Sequence, residues 1–453
     1  MSGGISTFFG IETSLRGLLA QQRALDVTSH NIANANTEGY TRQTAVMAAS
    51  DAMQVTDGTK MSLFASLGTG VDIQAYKRVR DQFLDLQYRG QNMMLGQQQT
   101  TSDALDNIET ALSEPGENGI SNQLAKFWSA WADVSNSNGS SASRQALVDQ
   151  ASTLAGSIRS LYSQLTSASS NASAEYNSLT ASPNGDVAAS VNEIATLNAA
   201  IKKSVAAGDN PNDLLDRRDA LLDKLSKLGQ VSVTDLGNGS IDVSFGDAAA
   251  PVVSDTTANW PQSLNNPGPP PTSSGAKLGA LYDLFKTGGT IESLQSDLNA
   301  VAKDLADKVN AVHNTGAPTG VDFFTYTTGS AASTIAVNVT AATVVTGPTG
   351  LPGDNDIARA LSRLRGGSTD QMYSTFVTRI GSMARDAQRQ EASAQALVDS
   401  VDGRRQSTSG VSMDEEMTNM IRFQRAFQAS SRAMNTMDEL LDTLINRTGR
   451  VGI

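Results

Sequence analysis

Few side chains in this sequence are of the types that carry out chemistry. The 453 residues include two histidines, His30 and His313, and no cysteine. The absence of thiols excludes disulfides and cysteine nucleophiles, and two histidines cannot form a multi-histidine metal centre. Acidic pairs occur at Glu415-Glu416 and Asp438-Glu439, at positions that we expect to face solvent. The titratable residues therefore indicate neither acid–base catalysis nor a metal site.

Phosphate-binding and nucleophile motifs are also missing from the sequence. The glycine pairs Gly68–Gly70 and Gly237–Gly239 lack the third glycine and following helix of a dinucleotide loop. No Gly-Lys-Ser/Thr run and no Gly-x-Ser-x-Gly run is present. An enzyme would need a site without any sequence signal, so we expect no catalytic activity and no cofactor.

Polar residues cluster instead at one predicted helix end. We expect Asn31, Asn34 and Asn36 to cap that end and to pair with neighbouring backbone in an assembly. We interpret His30, at the same end, as a structural histidine. His313 falls at the end of another predicted helix, where a cation would interact favourably with the helix dipole.

Composition restricts the class of protein and its partners. Hydrophobic residues make up 39% and aromatic residues 5% of the chain, which favours long helices packed closely through small and aliphatic side chains. The net charge of −12 argues against nucleic acid or an anionic membrane surface as a partner. No run approaches about 18 apolar residues, so we predict no membrane span. The N-terminus does not resemble a cleavable secretory signal, so any export is expected to use another route.

The N-terminal segment has a heptad pattern that predicts a helix over residues 5–33. The helix ends in a cluster of turn-forming residues, where Gly39 is able to adopt a positive φ and is followed by Tyr40. Extended pieces are predicted over 41–48 and 71–76. The apolar positions of the pattern are Phe8, Ile11, Leu15, Leu18, Leu25 and Ile32.

Most of the remaining chain also shows helical periodicity. We predict helix from Gln82 to about Ala181 with breaks at Pro115-Gly116 and 136–140. Further helices are predicted over 187–201, 212–228, 277–312 and 376–401. The period changes to two over 231–245, which predicts a β-hairpin around a Gly-Asn-Gly turn. A proline-rich loop is expected over 254–275, and a second β-prone patch covers 323–326 and 335–345.

The last predicted helix starts after Ser409-Gly410 and runs to about Asn446. Its apolar stripe is broader than a two-stranded coiled coil requires, and it consists of Met413, Met417, Met420, Ile421, Phe423, Phe427, Met434, Met437, Leu441, Leu444 and Ile445. We expect the two terminal helices to pair, to leave apolar faces exposed, and to remain loose until neighbouring subunits join. An ordinary intramolecular pair in the core of a monomer is the alternative.

The predicted fold class is mainly α with a smaller β part. We expect an inner domain of long terminal helices that form an α-helical coiled coil (1–40 with 410–453). A helical-bundle domain would comprise 41–230 with 277–315 and 355–409. A β-rich outer domain would comprise 231–276 with 316–354.

Both ends of the chain resemble one protein family. The segment Ala24–Gln43, ending in Gly-Tyr-Thr-Arg-Gln, resembles the N-terminal signature of flagellar rod, hook and hook-associated axial proteins, and its ending resembles the FlgK family most. Residues 409–417, 421–430 and 437–446 are similar to the same family, and the segments 213–219 and 306–313 also fit it. The middle is short for the family, and the tail 447–453 runs beyond the usual end.

This resemblance implies a secreted structural protein of the bacterial flagellum, outside the cell at the hook–filament junction. FlgK-like proteins leave through the flagellar type III export apparatus without a cleaved signal and form a ring of about eleven subunits by self-assembly. The implied partners are other copies of the chain, the hook protein, the second junction protein FlgL and a FlgN-type export chaperone that holds the C-terminal helix. A hook or distal-rod subunit, or a monomeric helical binding protein, are the alternatives.

Overall fold

The structure is a computed structural model, which describes residues 8–56, 64–137, 140–246, 248, 250–260, 275–316, 320–351, 353–443 and 445. Several sequence predictions lie outside these residues: the first turn of the N-terminal helix, most of the proline-rich loop, Leu444 and the tail 447–453. Long helices account for most of the described chain, and the strands are short. The predicted fold class, mainly α with a smaller β part, is confirmed.

The two terminal helices pack against each other, as predicted. Helix α1 spans Phe9–Ala33 and helix α12 spans Met413–Asp442. A β-hairpin follows α1, in which β1 (Gln43–Ala49) pairs antiparallel with β4 (Val71–Arg78). Between them, β2 (Met53–Thr56) pairs antiparallel with β3 (Phe64–Leu67). The β1–β4 hairpin packs on α1, so α1 contacts both α12 and the hairpin.

Long helices form the body of the molecule. The predicted breaks near Pro115 and at 136–140 are confirmed, because separate helices begin after each of them. Helix α11 runs alongside α2 and leads directly into the terminal pair. The body helices are α2 (Gln82–Leu112), α3 (Ile120–Asn136), α4 (Ser141–Thr180), α5 (Asp186–Ala206), α6 (Asn212–Leu228) and α11 (Ser368–Ser409).

The single helix predicted over 277–312 is wrong. Two helices, α7 (Ala276–Phe285) and α8 (Thr290–His313), occupy this stretch. Gly288 has a φ of +72°, and a Cβ on Gly289 would lie 2.4 Å from the carbonyl oxygen of Asp283. Glycine at both positions permits a sharp turn here, because any residue with a Cβ would be strained.

Beyond the β1–β4 and β2–β3 pairs, the β segments in the described part of the chain form two further small sheets. The predicted hairpin is confirmed as β5 (Val231–Asp235) with β6 (Ile241–Phe245), and the sheet continues through β7 (Val253–Ser254) and β8 (Thr257–Ala258). The strand predicted over 335–345 is largely wrong. The second sheet contains β9 (Phe324–Thr325) and β10 (Ala336–Val337), and a turn at Thr340–Thr343 replaces further pairing. Two short helices that the sequence did not predict, α9 (Ala331–Thr334) and α10 (Asp356–Ser362), flank this region.

One hydrophobic core joins helices and strands. Side chains of β6 and of the segment around β9 belong to the same buried cluster as those of α3, α4 and α8. Its aromatic centre includes Phe127, Trp131 and Phe323, with the rings of Trp131 and Phe323 5.3 Å apart between centroids. The predicted division into three domains stays a prediction.

His313 is part of this core, and its predicted interaction as a cation with the helix dipole is wrong. The imidazole is fully buried; its Nδ1 lies 2.7 Å from the Val321 carbonyl oxygen, and its Nε2 accepts the Val345 amide at 3.0 Å. Burial lowers the pKa of His313, although the Val321 contact and Asp322 oppose that shift. A neutral ring satisfies both contacts, because Nδ1 donates while Nε2 accepts.

Candidate assembly surface on the terminal helix pair

Small residues on α1 form its contact with α12. A Cβ placed on Gly10 would lie 3.1 Å from Sδ of Met437, and one on Gly17 would lie 3.3 Å from Oγ of Ser430. The step from Gly10 to Gly17, seven residues toward the C-terminus of α1, corresponds to a step from Met437 to Ser430, seven residues toward the N-terminus of α12. The two helices are therefore antiparallel. The alanines Ala20 and Ala24 are buried on α1. Side chains this small let the two helices approach closely.

The large apolar residues predicted to drive assembly are not the ones that α1 buries. Phe8 is 59% exposed and Leu15 is 41% exposed. The other four predicted positions are half-buried: Ile11, Leu18, Leu25 and Ile32. Pairing within the chain therefore leaves apolar surface on α1 available, and its role in assembly stays a prediction.

The predicted stripe on α12 divides into two sets. Five of its residues are half-buried: Met420, Phe423, Phe427, Met434 and Leu441. Five more are exposed: Met413, Met417, Ile421, Met437 and Ile445. Leu440, which widens the same stripe, is 56% exposed as well. The prediction that one partner helix cannot cover this stripe is confirmed for the described residues.

Asn31 connects the end of α1 to the start of α12. Its side chain is 1% exposed, and its Nδ2 donates to the Gln43 carbonyl oxygen at 2.9 Å and to Oε2 of Glu416 at 3.1 Å. Its Oδ1 accepts from the Gln43 amide at 3.0 Å and from the Tyr40 hydroxyl at 2.8 Å. The amide thus makes four hydrogen bonds, which satisfies both of its donors and both of its acceptor sites.

The other polar residues at this helix end lie in the turn that leaves α1. Asn34 is the C-cap, and its Nδ2 donates to the His30 carbonyl oxygen at 3.0 Å. Asn36 lies in the turn that follows, and Gly39 has the predicted positive φ, +78°. The predicted capping role is confirmed for Asn34 and is wrong for Asn31, because the Asn31 side chain bonds to Gln43 and Glu416 instead. Pairing of these asparagines with neighbouring subunits stays a prediction.

The expected solvent-facing position of Glu416 is wrong. Its side chain is 3% exposed, because Asn31 reaches it from the other end of the sequence. Glu415 remains on the outside and pairs with Arg42. The backbone also joins the two ends, since the Arg42 amide donates to the Ser409 carbonyl oxygen at 2.9 Å.

Tyr40 extends this polar network toward the body. Its hydroxyl also lies 3.1 Å from Nδ1 of His30. Burial, reinforced by the negative charges of Asp213, Asp216 and Glu416, raises the pKa of Tyr40 well above its usual value. The phenol therefore remains a hydrogen-bond donor at physiological pH, and His30 has the structural surroundings that the sequence analysis expected.

Sequence reasoning missed a second polar group, which we call the Arg–Asp cluster. Arginines from the β4–α2 segment, α2 and α11 meet aspartates from α2 and α6 there. Its members are Arg78, Arg80, Arg89, Arg405, Asp85, Asp216, Asp219 and Asp223. Two signals were available in the sequence: the pair Arg78 and Arg80, and the aspartate-rich start of α6, which lies much further along the chain. The cluster lies where α11 and β4 lead from the body into the terminal pair.

A groove of about 610 Å3 opens between α1 and the start of α6. Its lining includes Arg23, Asp26, His30 and Asp213, in which the charges of both signs are mixed. Among the described residues, no group of three or more histidines, aspartates or glutamates could hold a metal ion. None of the helices in the described part of the chain is both long and apolar enough to cross a membrane.

Three family models match separate parts of the chain. Residues 105–324 match the flagellar hook-associated protein FlgK helical domain. Residues 404–447 match the C-terminal model of the flagellar basal body rod FlgEFG proteins, and residues 11–41 match the flagella basal body rod protein model. The two rod-protein matches coincide with the paired terminal helices.

Similar proteins include flagellar hook-associated protein 1 of Bacillus subtilis, which is 30% identical over 98% of this chain and 99% of its own length. Flagellar hook-associated protein 1 of Salmonella typhimurium is 28% identical over 69% of this chain, which spans 59% of that relative. Among solved structures, the flagellar hook junction protein FlgK from Burkholderia pseudomallei has a similar fold. It matches with a TM-score of 0.59 at 14% identity, over 72% of this chain and all of that one.

Proposed function

This chain belongs to the flagellar hook-associated protein 1 (FlgK) family, and we propose that it forms the junction between hook and filament by helical self-assembly through its terminal helices. Members of this family are structural flagellar proteins, which agrees with the absence of enzyme motifs from the sequence. The protein acts by shape and by contact, and its functional site is the surface that other subunits bind.

One observation carries the proposal: the terminal pair buries small residues and exposes large apolar ones. Met417 is 54% and Ile421 is 51% exposed in a helix whose described residues include one buried side chain, Glu416. Full burial of each such side chain contributes about 1.5–3 kcal/mol. A surface of this kind on a soluble chain is typical of a protein–protein contact.

The proposed partners follow from this position in the flagellum. Sister subunits form a short helical ring, about one turn of eleven copies, which contacts the hook protein on one side and a FlgL-type junction protein on the other. Before assembly, a FlgN-type chaperone covers the methionine-rich face of α12, since methionine side chains adapt readily to a partner surface. The chain leaves the cell through the flagellar type III apparatus.

The experiment replaces the exposed apolar residues of α12 by serine in one variant, Met417→Ser/Ile421→Ser/Leu440→Ser. The matched control is Leu397→Ser on α11, which is 47% exposed but lies on the body. We expect both variants to keep their helical circular dichroism. On isolated hooks, labelled wild-type and control protein should bind at the tip, whereas the triple variant should not.

Hook decoration also separates the alternatives. A hook or distal-rod subunit would occur along the length of the structure that it builds, whereas a junction protein labels only the tip. Deletion of residues 1–33 or 412–453 should leave a soluble folded middle that no longer attaches filaments. Normal assembly of a truncated chain, or of the triple variant, would refute the proposal.

A further inference from the structure

We propose that the buried contact between Asn31 and Glu416 sets the register of the terminal helix pair. These two side chains come from α1 and α12, and Asn31 Nδ2 lies 3.1 Å from Glu416 Oε2. Both are nearly inaccessible to solvent. The proposal concerns how the surface for assembly is built within one chain, so it does not depend on the partner that binds that surface.

The rest of the α1–α12 contact provides little specificity. Gly10 and Gly17 face Met437 and Ser430, and glycines supply no side chain that interlocks with the opposite helix. A shift of α12 by seven residues, about 10 Å along the helix, would place Gly17 opposite Phe423. Such a contact remains sterically possible because glycine leaves the space open.

The same shift is destabilising at the end of the pair where Asn31 and Glu416 meet. It would place Glu416 opposite Ala24, where an alanine methyl group offers no hydrogen bond to a buried carboxylate. It would also leave Asn31 Nδ2 with one acceptor fewer. An unpartnered buried charge is strongly destabilising, so this buried contact discriminates between registers that the small residues tolerate. The Arg42 contacts to Glu415 and Ser409 lie beside it. A lone buried asparagine specifies register in coiled coils by the same physics.

Register has a consequence for the outer surface. The exposed side chains of α1, such as Leu15, and those of α12, such as Met417 and Leu440, lie on different helices. Their relative positions change by the length of any slip. Each register therefore presents a different arrangement of these apolar side chains, and Asn31 acts as a positioning residue for that arrangement.

Disulfide trapping tests the inference directly, because the full chain contains no cysteine. The pair Gly17→Cys/Ser430→Cys reports the observed register, since a Cβ on Gly17 would lie 3.3 Å from Ser430 Oγ. The pair Gly17→Cys/Phe423→Cys reports a shift of seven residues. We expect Asn31→Leu to reduce the rate of 17–430 cross-linking by about tenfold or more, with a gain in 17–423 cross-linking. Asn34→Leu, which alters a side chain bonded to His30 and Thr37 in the same turn, should change neither rate.

A rescue experiment separates register from folding. Asn31→Asp places two carboxylates together and should reduce 17–430 cross-linking. Asn31→Asp/Glu416→Gln restores an amide–carboxylate pair and should recover part of the cross-linking, because the Gln43 carbonyl oxygen still lacks its donor. Circular dichroism verifies that each variant is helical. Unchanged 17–430 cross-linking in Asn31→Leu and Asn31→Asp, or a folded double variant without recovery, would overturn the proposal. These assays use the purified chain, so their outcome is independent of hook binding.

Discussion

The guanidinium Nη1 of Arg80 lies 2.9 Å from Oδ2 of Asp219 at the centre of the Arg–Asp cluster. Arg78 and Arg89 reach the same carboxylate, at 2.8 Å and 3.3 Å. Burial alone would raise the pKa of Asp219, but the three arginines outweigh burial and lower it below its usual value. The carboxylate therefore stays ionised and holds β4 and α2 against α6.

Asp219→Asn should destabilise the protein at neutral pH by about 3 kcal/mol, because it leaves buried arginines without their shared partner. The folded-state pKa of Asp219 is depressed, so its contribution is present above the unfolded-state pKa of about 4 and is lost as the pH falls through the folded-state value. Urea unfolding should show a smaller loss of stability below pH 4 in Asp219→Asn than in wild type. The exposed carboxylate of Asp103 provides the control variant Asp103→Asn. Equal acid sensitivity of Asp219→Asn and wild type would contradict this account.

Two glycines on α2 give opposite predictions for the same substitution. A Cβ on Gly96 would lie 2.3 Å from the carbonyl oxygen of Lys227 at the end of α6, whereas a Cβ on Gly90 would meet no atom within 4 Å. Gly96→Ala should therefore destabilise the protein by about 1–3 kcal/mol through backbone displacement. Gly90→Ala should stabilise it by roughly 0.5–1 kcal/mol through helix propensity. Thermal unfolding of the two variants measures both effects, and equal shifts would show that α2 does not pack this closely on α6.

His313 should make the free energy of unfolding depend on pH between about 5 and 7, which lies above the range in which aspartates titrate. Burial lowers its folded-state pKa below the ordinary value of about 6.5, so stability is present above that value and decreases as the pH falls toward the folded-state pKa. His313→Gln removes the titrating group. We expect its unfolding free energy to vary less between pH 7 and pH 5 than that of wild type. A matching dependence in both proteins would assign the effect to other groups.

Amide hydrogen exchange on the purified chain should distinguish the terminal pair from the core. The described part of α12 buries one side chain, whereas α3 buries the aromatic residues Phe127, Trp128 and Trp131. Amides of α1 and α12 should exchange faster than those of α3 and α4, since local opening of the pair exposes little additional apolar surface. Strong protection of both ends in dilute solution would favour an ordinary monomeric helical protein instead.

Sequence periodicity alone was sufficient to predict the positions of most helices. The helix predicted over 212–228 has the bounds of α6, and the hairpin over 231–245 has those of β5 and β6. Local signals act there, because a heptad or an alternating pattern specifies which face becomes buried. The break in 277–312 had a local signal as well, the pair Gly288-Gly289, and the interpretation overlooked it.

The buried polar contacts depended on tertiary structure. Glu416 has the sequence context of a solvent-facing glutamate, and its partner Asn31 is separated from it by 385 residues. The same holds for Arg405 and Asp85, which meet at 2.9 Å across α11 and α2. No short-range pattern encodes such a pairing, since it depends on where distant helices meet.

The sequence by itself determined which segments are helices, that the two ends pair, and that their apolar residues exceed what one partner helix covers. Only the tertiary structure decided which residues form the contact between them. On α1, Gly10 and Gly17 face α12, while larger side chains such as Leu15 and Met417 remain exposed. The physical reason is that periodicity identifies an apolar stripe, whereas close approach of two backbones selects the smallest side chains along it.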